Sequence, residues 1–320
     1  MLHLRKLLSY TLLLAGIPAC SMLRQDLPPP APFTTYAHVH QDLLHARVIN
    51  LSAYTLAPNS EIVSDLVAAA TRGIPTKVLL TGRGFRYALR QNAATSQRLL
   101  RHHIAVEITP YPLHLKALVT NTDTIVSDTN FSDRGLYLQL PRVDAGAILR
   151  AWATGDPNYL GNFTTGKAYS LTMEGALLLA NDGPIVLETE SIGTGNAVFT
   201  ALSIARRQGR PVSLTINERD YSSSRPEHRA VALLRAEGVH VVTASSDEKI
   251  AVSGNSPCYY GSSNASGGLR RQIDFGLRID NPRLCSYLLQ RIDTASDTLD
   301  SSTSADAELV RQASLLEEHP

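Results

Sequence analysis

Apolar residues along the chain fall into short blocks whose spacing alternates between two patterns. Val48-Ile49-Asn50-Leu51-Ser52-Ala53-Tyr54 is a compact, largely apolar run and predicts a buried strand. Glu61 to Thr71 carries an apolar face at helical spacing and is stopped by Gly73 and Pro75, so a helix is expected there. Lys77-Val78-Leu79-Leu80 reads as a strand, Tyr87 to His103 as a helix, and Val106-Glu107-Ile108 as a strand. Alternation of this kind implies an α/β layered fold.

The same order then recurs. Ile185-Val186-Leu187 is a strand, Ala197 to Gln208 a helix and Val212-Ser213-Leu214 a strand. Glu227 to Glu237 is again a helix and Val239-His240-Val241-Val242 a strand. Residues repeat as well as patterns. Leu99-Leu100-Arg101 and Leu233-Leu234-Arg235 stand at the same place in the two series. Self-similarity at a fixed offset predicts a duplication, with two similar lobes spanning 35–155 and 170–293.

The ends differ from the middle. Arg5 and Lys6 precede an apolar run from Leu7 to Ile17, too short to span a bilayer, which needs about 20 residues. This is the pattern of an export signal. Ile17-Pro18-Ala19-Cys20 resembles a bacterial lipobox, which would make Cys20 a lipidated first residue of the mature chain. Cleavage after Ala19, giving a free secreted protein, is the alternative. Residues 21–34 contain Pro28-Pro29-Pro30 and Pro32 and predict an extended spacer. Residues 294–320 hold acidic and Ser/Thr-rich sequence and read as a disordered tail. Export places Cys258 and Cys285 where a disulfide is permitted, though two buried free thiols fit equally well. The net charge of +1 argues against a protein held to nucleic acid chiefly by charge, without excluding a local basic cleft.

Candidate chemistry sits where each half closes. His114-Leu115-Lys116 precedes an apolar run and then Ser127-Asp128-Thr129-Asn130-Phe131-Ser132. Asp247-Glu248-Lys249 precedes Ile250-Ala251-Val252 and then Gly261-Ser262-Ser263-Asn264-Ala265-Ser266. Asn130 to Asn264 keeps the offset found for the helices, and Lys116 to Lys249 keeps it to within one residue. These stretches resemble the HxKxxxxD and GSxN signature of the phospholipase D superfamily, over most of residues 45–293. The resemblance implies a duplicated α/β fold: two similar mixed-sheet lobes with flanking helices and one active site at their interface. It implies phosphodiester chemistry through a phosphohistidine, with His114 as nucleophile and with Lys116, Lys249, Asn130 and Asn264 as a phosphate clamp. Ser262 would add a donor or orient its neighbours. No metal or other cofactor is implied, and no metal-ligand spacing is present.

Those residue types suit the task. A phosphodiester is shielded by its own charge, so a covalent nucleophile and cationic clamps divide and lower the barrier. The departures from the signature are specific. Asn121 and Gly254 stand where the motif's aspartate is expected, Ser127-Asp128 replaces Gly-Ser, and Asp247 replaces the second histidine, the family's general acid. The family also orients its histidine with an acidic side chain downstream of the asparagine. Asp274 takes that place in the second half, and Gln139 is the corresponding candidate orienter of His114 in the first. His102-His103 at a helix end, the Gly82-Arg83-Gly84 loop and the Arg270-Arg271 pair have plain structural readings as well.

The expectation is a monomeric, periplasmic or cell-surface lipoprotein acting on a phosphodiester, with a phospholipid favoured over nucleic acid. The rival readings are a catalytically inactive module that binds anionic head groups or a partner, and an exported nuclease.

Overall fold

Helix α2 (Glu61–Thr71) shows how the sequence builds each layer. Ile62, Val63, Leu66 and Ala69 recur on one face and are all buried, and Gly73, at φ +82°, turns the chain out of the helix. That face covers β2 (Ile49–Ala53) and β3 (Thr76–Thr81), which pair in parallel because the helix carries the chain back across the sheet. Burying a side chain such as Leu66 stabilises the fold by roughly 1.5–3 kcal/mol. The computed structural model describes residues 31–292 apart from 133–134, 246 and 268–270. The export signal, Cys20, most of the proline-rich spacer, Arg270 and the acidic tail lie outside the described residues.

The chain begins with β1 (Phe33–Thr34) and α1 (Tyr36–His45), continues through β2, α2 and β3, and reaches α3 (Arg86–Arg101) and β4 (Ala105–Thr109). A meander follows: β5 (Lys116–Thr120), β6 (Thr124–Ser127) and β7 (Tyr137–Gln139). These strands form one sheet in the order β1-β7-β6-β5-β2-β3-β4. Helix α4 (Arg142–Thr154) leads to β8 (Tyr159–Leu160), β9 (Phe163–Thr164) and α5 (Lys167–Leu178). The series then repeats as β10 (Ile185–Thr189), α6 (Ala197–Arg207), β11 (Val212–Asn217), α7 (Glu218–Ser223), α8 (Arg225–Ala236) and β12 (His240–Ala244). It closes with β13 (Ile250–Ser253), β14 (Cys258–Gly261), β15 (Gly276–Ile279) and α9 (Pro282–Arg291).

The second sheet runs β12-β11-β10-β13-β14-β15-β9-β8, which is the first sheet's order over again with one strand added. In both, three parallel strands join an antiparallel meander. The duplication extends to β1 and β9, each built from a Phe-Thr pair and each docked antiparallel on the last strand of its meander. Two expected boundaries therefore move. The first lobe starts at Phe33, which is buried rather than part of a spacer. The second starts before 170, because β8 and β9 belong to its sheet.

One apolar cluster joins the sheets. Leu113, Leu115, Ala117, Val126 and Leu138 of the first meet Ile250, Val252, Tyr260, Ile273 and Phe275 of the second. Two other clusters fill the space between each sheet and its outer helices. Cys258 on β14 and Cys285 on α9 form a disulfide, with Cα atoms 5.4 Å apart.

Candidate active site

The segment before β5 is held by the other lobe. His114 and Leu115 both donate their backbone N–H to the Ile273 carbonyl, at 2.7 and 2.8 Å, and Ile273 N donates to Pro112 O at 2.9 Å. This short cross-lobe bridge sets the next residue, Asp274, against the imidazole. His114 Nδ1 lies 2.8 Å from Asp274 Oδ1. With Nδ1–H donating to that carboxylate, the neutral ring presents the lone pair of Nε2 outward. Burial, reinforced by the nearby Lys116 ammonium, lowers the His114 pKa in spite of Asp274, which favours the neutral nucleophilic form. Burial pushes the Asp274 carboxyl up, but His114, Lys167 and Lys116 more than reverse this and hold it ionised.

Asp274 is itself braced. Ser262 Oγ donates to its Oδ1 at 2.9 Å and accepts from Phe275 N at 3.0 Å, while Gln272 Nε2 donates to Oδ2 at 2.8 Å. Ser262 is thus an orienting residue whose hydroxyl is committed to Asp274. Tyr54 packs edge-on to the His114 ring, with centroids 5.0 Å apart.

The two lysines open β5 and precede β13, equivalent places in the two sheets. Lys116 is almost fully buried, its Nζ 3.3 Å from His114 Nε2 and donating to Asp128 O at 3.2 Å. Burial, with Lys249 adding repulsion, lowers its pKa to about 7. Lys249 behaves oppositely. Burial would lower it, but Glu190, Asp128 and Asp247 raise it overall. The buried Asp128 carboxylate accepts from Lys249 N at 3.3 Å and from Tyr260 Oη at 3.2 Å, and burial raises its pKa to about 7. The motif's unusual aspartate therefore cross-links the lobes.

Asn264 Nδ2 donates to Glu190 Oε2 at 3.1 Å, and Lys249 Nζ lies 3.1 Å from the same oxygen. Burial would raise the Glu190 pKa, yet Lys249, His114 and Lys116 together bring it down to about 2. The clamp of the second half is thus held by an internal carboxylate. Sequence reasoning missed Glu190. The available signal was its place immediately after β10, matching Tyr54 immediately after β2. Asn130 Oδ1 accepts from Thr55 N at 3.2 Å, which leaves the amide NH2 as the group free to donate elsewhere. The structure therefore brings together His114, Lys116, Lys249, Asn264, Ser262 and Asp274, with Asn130 anchored to the residue after Tyr54.

Three expectations need correction. Gln139 does not orient His114: it is exposed on β7 and bonds Asp123. The register explains why. Lys116 pairs with Ser127 and Ser127 with Tyr137, while Gly261 N bonds Lys249 O and Gly261 pairs with Gly276. Tyr137 thus answers to Gly276, and the first-half counterpart of Asp274 is Gly135. Asp247 is exposed rather than buried, its Oδ1 accepting from Asn217 Nδ2 at 2.8 Å. Asn121 and Gly254 lie at hairpin turns, about 16 Å along the strand from each lysine at ~3.3 Å per residue, so their departure from the motif leaves the site intact.

No family model matches the sequence, and no curated protein matches it. Solved structures do. A polyphosphate kinase from Porphyromonas gingivalis superposes with a TM-score of 0.55 at 18% identity over 81% of this chain. The chain spans about half of that kinase, 48% of its length. A phosphatidylserine synthase from Haemophilus influenzae Rd KW20 gives a TM-score of 0.54 at 12% identity, covering 89% of this chain and 93% of the other. Nuc from Salmonella typhimurium, a phospholipase D family member, gives 0.36 at 16% identity over 42% of this chain and 91% of its own. The chain carries the duplicated phospholipase D-like α/β fold, two mixed sheets with flanking helices meeting at one site.

Proposed function

We propose that the protein is a phosphodiesterase or phosphatidyltransferase that works, without a metal, through a phosphohistidine at His114. The observation that carries this reading is the cross-lobe pair of His114 Nδ1 and Asp274 Oδ1 at 2.8 Å, with Lys116 Nζ 3.3 Å from the outward Nε2. The Nε2 lone pair attacks phosphorus, the P–O bond to the leaving group breaks, and the departing oxygen takes a proton. Solvent supplies that proton, since Asp247, at the second histidine's position, is exposed and accepts from Asn217. Water or an alcohol then attacks phosphorus, gives up its proton, and the P–N bond breaks to restore the imidazole. Lys116, Lys249, Asn130 and Asn264 hold the non-bridging oxygens.

A phospholipid-like substrate is favoured by the mouth of the site. Phe85 is 70% exposed and Tyr87 55% exposed, and their rings stack at 6.0 Å. Exposed Arg83, Arg86 and Arg90 flank them, and Phe85 N donates to Tyr54 Oη at 3.0 Å, tying this tip to the ring that packs on His114. Aromatic rings among arginines suit a lipid–water boundary. Exposed Asp247, two residues from Lys249 of the site, opposes a polyanion laid across it. The membrane anchor at Cys20 is proposed alongside, and is tested by lipid labelling of the chain against Cys20→Ala.

Turnover of bis(p-nitrophenyl) phosphate in EDTA tests the chemistry. The reading expects activity that vanishes in His114→Ala. Activity equal in wild type and His114→Ala overturns it and favours a binding module, the second reading, for which the exposed Asp247 is the motivating observation.

A further inference from the structure

Two donors of the second half converge on one carboxylate oxygen. Lys249 Nζ lies 3.1 Å from Glu190 Oε2, and Asn264 Nδ2 donates to that same oxygen at 3.1 Å. Lys249 Nζ also donates to the Asp247 carbonyl, so two of its three N–H groups are held within the protein. Both donors belong to the phosphate clamp. Glu190 Oε2 therefore sits where they would otherwise receive a non-bridging phosphate oxygen. The Glu190 side chain is 28% exposed and that of Lys249 only 3%, so the carboxylate is the member of the pair that solvent and ligand reach.

The first half is built differently. Ser52 pairs with Ala117 and Glu188 with Ile250, so Tyr54 and Glu190, each two residues further on, hold the same place relative to Lys116 and Lys249. Tyr54 is uncharged, and its hydroxyl oxygen accepts from Phe85 N at 3.0 Å. Lys116 thus has no carboxylate at the place where Lys249 has one. Across the whole clamp the two ammoniums are matched by two carboxylates, Glu190 and Asp274, both held ionised by the cations around them. A site balanced in this way accepts one further negative charge and repels a second. A phosphodiester carries one. A phosphomonoester carries close to two at neutral pH, its second pKa being about 6.

We propose that Glu190 is the charge-selecting residue of the clamp: its carboxylate keeps one oxyanion seat filled while substrate is bound, which admits singly charged phosphodiesters and excludes phosphomonoesters. This rests on the phosphodiester reading of the same site and narrows its substrate class to diesters with no second anionic group beside the scissile phosphate. The remaining N–H groups of Lys249 and Asn264, with Lys116, hold the reacting phosphate. The same carboxylate acts on the product. Water and a diester give an alcohol and a monoester, and the monoester releases a proton to become doubly charged above pH about 6. Glu190 then repels it more strongly than it repelled the substrate, which speeds its departure.

The test is titration of the full chain, followed by NMR at pH 7 in EDTA, with phenyl phosphate and with methyl phenyl phosphate, two ligands that differ by one methyl group and one charge. Wild type is expected to bind the diester at least as tightly as the monoester. Glu190→Gln keeps the side chain's size and removes its charge. It should strengthen binding of the monoester by about 100-fold and of the diester by about tenfold, because the repulsion removed scales with the ligand's charge. Glu190→Asp, which keeps the charge, should hold the ratio of the two affinities within about threefold of wild type. The inference is overturned if wild type prefers the monoester by tenfold or more, a result that needs no variant. It is also overturned if Glu190→Gln strengthens both ligands equally, since the ligand would then displace the carboxylate instead of sitting beside it, or if Glu190→Asp behaves as Glu190→Gln. These outcomes leave the phosphodiester reading standing. Binding of neither ligand, by wild type or by Glu190→Gln, sinks that reading as well.

Discussion

Gly135 and Asp274 occupy equivalent places in the two sheets, and only Asp274 has a side chain to offer a histidine. A Cβ built on Gly135 would lie 2.6 Å from Thr129 Oγ1, so this half has no room for an orienting carboxylate. The second half correspondingly has no histidine at the paired position, since Asp247 stands there. Both members of one dyad are absent together. Asp247→His alone is therefore expected to change turnover of an alkyl phosphodiester by less than about threefold, against the roughly 10²–10⁴ that a working general acid supplies. Steady-state rates on an unactivated diester decide this. A gain of a hundredfold would show that the position needs no orienting partner.

Asp274→Asn keeps the side chain's size but removes the charge that holds the His114 tautomer and stabilises its cationic phosphorylated form. The expected loss in kcat is about 10²–10⁴, with KM changed little. Ser262→Ala loosens the same carboxylate, and its loss should be smaller, near tenfold. If Asp274→Asn retained wild-type kcat, His114 would be oriented by other means.

The pH dependence of kcat/KM follows from two cations. In the empty site His114 must be neutral and Lys116 charged. Burial lowers both, Lys116 to about 7. Turnover at low substrate should therefore fall as pH rises through about 7, when Lys116 releases its proton, and fall again in acid as His114 gains one. A bound phosphate favours the ammonium, so the basic limb of kcat should lie at higher pH than that of kcat/KM. Lys116→Arg, charged throughout, should lose the basic limb. A limb unchanged in that variant would assign it to another group.

Covalent closure between β14 and α9 contributes to stability. The Cys258–Cys285 disulfide spans 27 residues, and its loss in Cys258→Ser/Cys285→Ser should destabilise the fold by about 2–4 kcal/mol. Urea unfolding of the oxidised protein and of the double variant measures the difference. A lost disulfide with no shift in midpoint would mean that the apolar cluster around α9 suffices.

The exposed tip carrying Phe85 and Tyr87 predicts separable binding and chemistry. Phe85→Ser/Tyr87→Ser should weaken partitioning onto vesicles of anionic phospholipid by about a hundredfold or more, each buried aromatic being worth about 1.5–3 kcal/mol. Turnover of a small soluble aryl diester should be unaffected. Equal vesicle binding in the variant, combined with tight and salt-sensitive DNA binding, would redirect the substrate assignment to nucleic acid.

Much of this architecture was legible in residues. The strands at Val48–Tyr54 and Ile185–Leu187, with the helices after them, have strong periodicity and came out as read. Helix α5 did not, because its buried positions, from Lys167 through Ser170 and Leu171 to Leu178, mix polar and apolar residues on several faces. At the site, the two lysines and Asn264 were visible because the chain repeats them, and His114 because it stands two residues before the first lysine. Asp274 was visible as an acid, but its partner was not, since pairing across lobes depends on the bridge at Ile273 rather than on spacing. Gln139 was misassigned for the complementary reason: a residue count cannot see that the loop before β7 is shorter than the loop before β15. Glu190 lies outside any repeated motif, and only the meeting of the two sheets gives it a role.

The two sheets share one polypeptide, and this governs how the site could diverge. In an assembly of identical subunits a single codon change alters both halves at once, so losing one histidine means losing both. Here each half is encoded separately. The dyad of positions 247 and 135, which takes one member from each half, could be lost while the dyad of His114 and Asp274 stayed intact. Covalent linkage thus permits a heritable division of labour, in which one half supplies His114 and the other supplies Asp274 and Glu190 around it.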